Sequence, residues 1–421
     1  MTAVCILLQN FYDIDIRVRR KAEALAAAGY SVDVFALSSP KYPKNYTLEG
    51  VNVYTISLGK LRGSLMRYAF EYIAFLLWCL FRTTVRMHRR RYAVIDVNTL
   101  PDFLVFAPVF AKWMGAKIVL DMHEITPEFY MSKYGMAPDS LSVRLLKFQE
   151  KISFDFADHV IAINQPILDL LCGRGLDRAR TSIIMNSADE ARFTSSSTSV
   201  RADAMADDKF VMMYHGTLTN LYGLDLAIEA FALVHKEMAA AELWILGSGP
   251  EKTALESLAQ ERGIASKVRF VGQVPPSEIP MWLSQCKVGI LPIRRDVFLE
   301  FASPNKLPEF IIMGKPVIIS RLKAIRFYFC SDALAFFEPN DPTDLASQMV
   351  RLYQDRDLRV RLVDRAKKDY EPIRWDVMKQ RYLRMMEDLT GFAGRGQEQL
   401  RVAAAAAASR SADSKNYAEK N

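Results

Sequence analysis

The stretch "SPNKLPEFIIMGKPVI", residues 303–318, joins a polar turn to an apolar helix and then to an apolar strand. Ser303 is a favourable N-cap, and Pro304 suits the first helical position, where a missing N–H costs nothing. Asn305 and Lys306 then fill the first turn. A lysine there opposes the helix dipole by roughly 0.3 to 1 kcal/mol, so helix stability does not account for it, whereas a bound anion does. Glu309 follows three residues later on the same face. This order suits a ligand with phosphates near the helix start and hydroxyls one turn on, the layout of a nucleoside diphosphate with its ribose. The bland alternative is a solvated Lys–Glu pair on a surface helix. Against it, "FIIMG" and "KPVIIS" bury the rest of the helix and the next strand, leaving only the first turn free.

Other turns carry weaker signals of the same kind. "LGSGP" places Gly247 and Gly249 where a strand gives way to a helix, allowing close backbone approach and favouring an anion; a tight turn without a ligand explains it equally well. "YHGTLTNLYGLDLAI" repeats the arrangement and puts Gly216 and Thr217 where a pyrophosphate would pass, while His215 is read more simply as packing at a strand end. In "VRFVGQVPPSEIPMWL" the backbone from Gly272 to Val274 can present hydrogen-bonding groups to a flat base, or can be a plain connection. In the first half, "VLDMHEITPEFY" brings Asp121, His123 and Glu124 to a strand end, where Asp121 capping a helix and a packed His123 are the alternative. "DVNTLPDFL" brings Asn98 and Asp102 to another.

These residues need a scaffold, and the chain is long enough for two. Its 421 residues exceed one ordinary core, and half of them are hydrophobic, the composition of a folded globular protein. The net charge of +7 is modestly basic. Five scattered cysteines with no metal-ligand spacing fit a reducing cytoplasm, and the opening "MTAVCILLQNFYD" reads as a buried first strand. Strand and helix signals alternate from residue 3 to about 164: strands at 3–8, 30–37, 92–98, 116–123 and 159–164, with helices at 15–28, 101–114 and 139–155. The polar run 194–208 breaks the pattern, which then restarts with "FVMMYHG" and adds helices from Leu224, Glu251, Ser277 and Ser303. The expected fold class is α/β: a Rossmann-like domain over 1–193, a linker over 194–208, a second Rossmann-like domain over 209–374, a helix over 375–390 packing back on the first domain, and a disordered low-complexity tail over 391–421. In open α/β sheets ligands bind at the carboxyl ends of the strands, so the site is expected between the halves.

With "LGSGP", "VRFVGQVPPSEIP", "VGILPI", "SPNKLPEFIIMGKPVI" and "EPNDPTDLA" in order, and "DHVIAIN" and "IIMNSADEARF" before them, the chain up to about residue 390 resembles the retaining glycosyltransferases of family four, which have the GT-B fold. The resemblance implies transfer of a sugar, with retention, from a nucleoside diphosphate sugar to a hydroxyl of a glycan acceptor. It makes Glu309 the second glutamate of an E-x7-E motif, on the ribose; it puts Ser303, Pro304 and Asn305 on the diphosphate, and Gly272 to Val274 on the base. It sets His123 and Glu124 beside the reacting sugar, with Glu124 accepting the acceptor's proton, and Asp15 and Arg17 of "DIDIRVRRKAEAL" on the acceptor side with Asn98 and Asp102. Three departures stand out. Phe301 occupies the place of the first motif glutamate, leaving neighbouring Glu300 as its substitute, and Thr217 and Tyr222 fall where a phosphate-clamping Arg and Lys are expected. Lys306 is then the replacement cation, with Arg294 and Arg295 in reserve.

"LMRYAFEYIAFLLWCLFRTTVRMHRRRY", from Leu65, is too short and too charged to span a bilayer; it reads either as an interfacial helix with arginines on anionic headgroups or as a core helix with a solvated basic end. The first reading suits a lipid-linked acceptor and places the protein on the inner face of the cytoplasmic membrane through residues 65–91. No metal, cofactor or nucleic-acid partner is expected. Two rivals remain open: a non-catalytic sugar-nucleotide-binding or scaffold protein of the same fold, and a nicotinamide enzyme, which lacks a glycine fingerprint where "LLQNFYDID" follows the first strand.

Overall fold

The structure is a computed structural model and describes residues 1–58, 65–188, 190, 193 and 209–392. The expected linker over 194–208 and the tail beyond residue 392 lie outside them. In the first half β1 (Ala3–Phe11), β2 (Ser31–Leu37), β3 (Asn45–Leu48), β4 (Val51–Ile56), β5 (Val94–Asn98), β6 (Lys117–Met122), β7 (His159–Ala162) and β8 (Thr181–Ile183) form one sheet, in the order β3-β4-β2-β1-β5-β6-β7-β8. Every neighbouring pair is parallel except β3 and β4. In the second half β9 (Phe210–His215), β10 (Ala241–Leu246), β11 (Val268–Gly272), β12 (Val288–Leu291), β13 (Val317–Ser320) and β14 (Ala335–Phe337) form an all-parallel sheet, β11-β10-β9-β12-β13-β14. Helices cover both faces of such sheets, which is why the central strands are unbroken apolar runs.

Local chemistry accounts for the departures from the expected elements. The β3–β4 hairpin turns through Glu49 and Gly50, both with positive φ, and so adds an edge that the strand signals did not show. The helix expected over 101–114 is split into a tight turn at Asp102–Phe106 and a helix at Val109–Trp113, with Pro108 at the break. An additional helix, Thr126–Tyr134, starts with Pro127 in its first turn and stops at Gly135 in the left-handed conformation. The helix expected from Ser303 runs instead over Lys306–Ile312.

The C-terminal helix Trp375–Thr390 returns to the first domain, against helix Ile16–Ala27 and strands β5 and β8. There it meets a buried polar cluster beneath the strand ends. The ammonium of Lys21, on the inward side of helix Ile16–Ala27, is 3% exposed and donates to Asp96 (3.1 Å), Asn98 Oδ1 (2.9 Å) and Asp121. The hydroxyl of Tyr382, from the returning helix, donates to Asp96 at 2.8 Å. Burial works against the charge on Lys21, but Asp121 and Asp96 outweigh it and raise its pKa. A buried ammonium left without partners is costly, and so are two carboxylates left without it. Lys21→Met should therefore cost ~3–5 kcal/mol of stability, read as a lower midpoint for the first domain in urea unfolding; a midpoint within error of the wild type would show that the cluster does not hold the strand ends.

Candidate active site

A cavity of about 440 Å³ opens between the two sheets, at the carboxyl ends of their strands. The first domain lines it with Asn10 at the end of β1, Asp15 and Arg17 just beyond it, and His123 and Glu124 after β6; the second lines it with Tyr222, Phe298, Phe301 and the run Ser303–Lys306. Asp15 caps its helix through the Val18 N–H at 3.3 Å and accepts from Asn10 Nδ2 at 3.0 Å, which fixes the loop that presents Arg17. The two walls are bolted together. Asn164 caps the helix after β7 with its oxygen, and its amide reaches across to Phe301 O (2.9 Å) and Ser303 Oγ (3.0 Å). Ser132 donates to Asp296, and the Tyr328 hydroxyl accepts from the Gln165 N–H at 2.7 Å.

His123 rests directly on the buried cluster. Its Nε2 lies 3.1 Å from Asp121 Oδ2 and 3.1 Å from Asn98 Oδ1, and its backbone N–H donates to Thr99 Oγ1 at 3.0 Å. Burial and the Arg17 charge push its pKa down against the pull of Asp121, which favours the neutral imidazole. Burial raises the Glu124 pKa, with Arg17 and Lys133 opposing, so this carboxyl holds a proton more readily than an ordinary glutamate. Asn98 and Asp102 do not line the cavity. Asn98 is buried as a support of His123 and bonds to Leu7 O at 3.3 Å. Asp102 is wholly buried, its oxygens find no aligned hydrogen-bond partner, and burial pushes its pKa up to about 7. Both are interior groups and not the expected acceptor contacts: Asn98 ends β5 against the His123 ring, and Asp102 opens the largely buried turn Asp102–Phe106.

On the opposite wall Lys306 is half-buried, with its Nζ 4.4 Å from the centre of the Tyr222 ring, a cation–π contact. Burial lowers its pKa, with Glu309 pulling the other way. Its side chain lies over Gly216: a Cβ at that position would sit 2.1 Å from Lys306 Cε, and the Gly216 φ of +135° excludes most side chains as well. Glu309 stands behind it, 3.3 Å from His215 Nε2; burial and the Lys306 charge push that imidazole down to about 3, so it is neutral and packs on Phe310. Ser303 does not cap the helix, since its hydroxyl takes the bond from Asn164 and Asn305 occupies the cap position without a side-chain bond; nor does Pro304 enter the first turn.

Several expected donor groups are engaged otherwise. The Gly216 N–H donates to Leu246 O (2.9 Å) and the Gly247 N–H to Gly272 O (2.7 Å), so these amides zip neighbouring loops together. A Cβ on Gly247 would meet Gly216 O at 1.8 Å, and one on Gly249 would meet Leu218 O at 2.1 Å; the close approach these glycines permit is of loop to loop. Thr217 is exposed and accepts from the Tyr214 hydroxyl through its carbonyl. Val274 is half-buried beside Gly272, which has φ +87°. Arg294 is withdrawn: its guanidinium donates to Asn220 and pairs with Asp225. Glu300 pairs with Arg295 (2.6 Å) and accepts from the Lys323 N–H (2.8 Å), so it does not substitute for the glutamate that Phe301 replaces. The residues that sequence reasoning missed are Lys21, Asp96 and Tyr382, together with Tyr222 as a ring beneath Lys306. A lysine amid the apolar positions of "RVRRKAEALAA" was the available signal for the first.

Two facing doubly wound domains enclose one cavity, with a cation on one wall and a histidine and a carboxyl on the other, an arrangement suited to group transfer between ligands held at the strand ends. Residues 14–187 match the family model described as glycosyl transferase 4-like domain, and residues 209–355 match glycosyl transferases group 1. The chain is 25% identical over 277 residues to the probable glycosyltransferase WbjE of Pseudomonas aeruginosa, covering 63% of this chain and 68% of that protein. Among solved structures, HepE of Anabaena in complex with UDP superposes with a TM-score of 0.67 at 15% identity, covering 93% of this chain and 100% of that one. WaaG, a glycosyltransferase involved in lipopolysaccharide biosynthesis, superposes at 0.64 with 15% identity over the same shares. The chain belongs to the family-four glycosyltransferases of the GT-B fold.

Gly216→Ala should displace the Lys306 ammonium and lower kcat/KM for the donor roughly tenfold or more, the scale of one charge-assisted contact. Steady-state kinetics, with circular dichroism as the fold control, checks this. Unchanged kcat/KM would show that the ammonium need not lie over Gly216.

Proposed function

We propose that the protein transfers a sugar from a nucleoside diphosphate sugar to a hydroxyl of a lipid-linked glycan, in cell-surface polysaccharide or lipopolysaccharide-type synthesis, with retention at the anomeric carbon. The observation that carries this is the pairing across one cavity of Lys306, stacked on Tyr222, with His123 and Glu124. Complexes of HepE with UDP and with UDP-glucose support a nucleoside diphosphate donor, and the involvement of WaaG in lipopolysaccharide synthesis supports the acceptor class.

In this reading the diphosphate lies along Ser303–Lys306, where the half-buried ammonium regains in the anion the solvation that burial removed. The ribose meets Glu309, and Gly272 to Val274 face the base. As the glycosidic bond to phosphate breaks, negative charge grows on the leaving diphosphate and Lys306 stabilises it, a contact worth most in a site closed to water. His123, held by Asp121 and Asn98, binds hydroxyls of the sugar, and Glu124 takes the proton of the acceptor hydroxyl. Asp15 and Arg17 guide the acceptor. The charge of Lys306 serves in place of a metal, so chelation by EDTA leaves turnover unchanged. The basic end of helix Leu65–Arg90 brings the protein to the cytoplasmic face of a membrane, where the acceptor is anchored.

The pKa directions set a bell-shaped rate profile. Activity requires Glu124 deprotonated, so the acid limb falls above the ordinary glutamate range; it requires Lys306 protonated, so the alkaline limb falls below the ordinary lysine range. Glu124→Gln should remove the acid limb, and Lys306→Arg should carry the alkaline limb upward, because a guanidinium stays charged. A pH profile of kcat/KM for each variant, with NMR assignment of the product anomer, tests the reading; limbs that stay in place would exclude these two roles, and an inverted product would exclude retention.

A further inference from the structure

The first domain carries a helical surface that the cleft does not use. Helix Leu65–Arg90, the segment 102–113 and helix Leu141–Phe156 cover one face of its sheet, and Phe75, Cys79, Leu104, Ala111 and Phe154 turn inward to one shared core. Their outward sides are also apolar. Phe70, Ile73, Leu77, Phe81 and Val85 stand exposed at three- and four-residue spacing on the first helix, a line about 22 Å long. Leu141, Leu145, Phe148 and Ile152 form a second line on the other long helix, about 16 Å long. Between them lie Phe110, Met114 and Trp113, the last 76% exposed. The turn at Asp102–Phe106 touches both long helices, so the lines run side by side. Single exposed apolar residues are ordinary, whereas three adjacent stripes are not.

Cations border this apolar field. The first helix ends in His88, Arg89 and Arg90, followed by Arg91, and Arg144 and Lys147 flank the second line. Arg89, Arg91, Arg144 and Lys147 make no ion pair among the described residues. An apolar centre with unpaired cations at its margin matches an anionic bilayer, into which the apolar side chains sink while the cations reach lipid phosphates. A second copy of this chain would bring like charges together across a two-fold contact. No helix among the described residues is long and apolar enough to cross a membrane.

We propose that this whole face, and not helix Leu65–Arg90 alone, docks on anionic lipid, with helix Leu141–Phe156 as a second inserting element. The proposal rests on the membrane contact of the functional reading and enlarges it. Helix Leu65–Arg90 precedes β5 and runs against the strands, so its Phe70 end lies nearest the cleft, and a lipid-linked acceptor rising from the bilayer enters there.

Flotation of the full chain with phosphatidylcholine vesicles, with and without phosphatidylglycerol, tests this. The wild type should bind only the anionic vesicles and release in high salt. The pairs Leu145→Glu with Phe148→Glu and Leu77→Glu with Phe81→Glu should each lower the bound fraction at least about tenfold, as loss of two buried apolar side chains implies. Thermal unfolding midpoints and circular dichroism, unchanged in both, show that the variants fold. If the first pair binds like the wild type while the second does not, the contact is confined to helix Leu65–Arg90: the proposal fails and the membrane reading stands. A wild type that ignores vesicles overturns both, and a wild-type dimer that both variants split into monomers assigns the face to a second copy and overturns the proposal.

Discussion

The Lys21 ammonium, closed in among Asp96, Asn98 and Asp121, is the contact on which the first wall of the cleft depends. It draws the ends of β5 and β6 toward helix Ile16–Ala27, and Tyr382 brings the C-terminal helix to the same point. Removing one charge from such a cluster strands the others in a medium that solvates them poorly. The oxygens that hold Lys21 also hold the His123 ring, so the orientation of a cleft side chain is set by an interaction wholly beneath the surface. Stability and site geometry share one set of atoms.

The second wall follows a different logic. Three loops at the ends of β9, β10 and β11 are laced by backbone hydrogen bonds, and their glycines let them pack backbone on backbone. That packing leaves a shallow bed over Gly216 in which the Lys306 side chain lies, with Tyr222 beneath the ammonium. Thr217 and Tyr222, where the family resemblance implies a pair of clamping cations, carry no charge, and Arg294 and Arg295 are committed to Asp225 and Glu300. Among the described residues Lys306 and Arg17 are the cations that line the cavity, one on each wall.

The two-domain architecture was legible because parallel strands buried on both faces leave continuous apolar runs, and those from "AVCILL" to "KPVIIS" lie where strands form. The misplaced boundaries came from prolines and caps: Pro108 divides one helix, and Ser303, a good cap by type, is diverted to Asn164 of the other domain. Local sequence carries no trace of such a partner, which is 139 residues away. His123 and Glu124 were readable at a strand end facing a cleft and Lys306 as an ill-placed cation at a helix start, while Asp15 and Arg17 came from the family resemblance; all five line the cavity. The places of Asn98 and Asp102 were not readable, because a polar residue at a strand end can point into the cavity or below it, and only packing decides. Lys21 was hidden for a related reason: a lysine on an amphipathic helix is usually solvated, and its burial here depends on carboxylates from two distant strands.

If Lys306 supplies the phosphate contact, its ammonium must hold a nucleoside diphosphate more tightly than the parent nucleoside. Titration calorimetry with a panel of nucleoside diphosphates identifies the one the wild type binds most tightly, and the same titration is then made on Lys306→Met. With thermal stability retained, the variant should lose at least tenfold in affinity for that diphosphate and change little for the parent nucleoside, the scale of one charged hydrogen bond of ~1.5–3 kcal/mol. Equal affinity of both proteins for the diphosphate would contradict it.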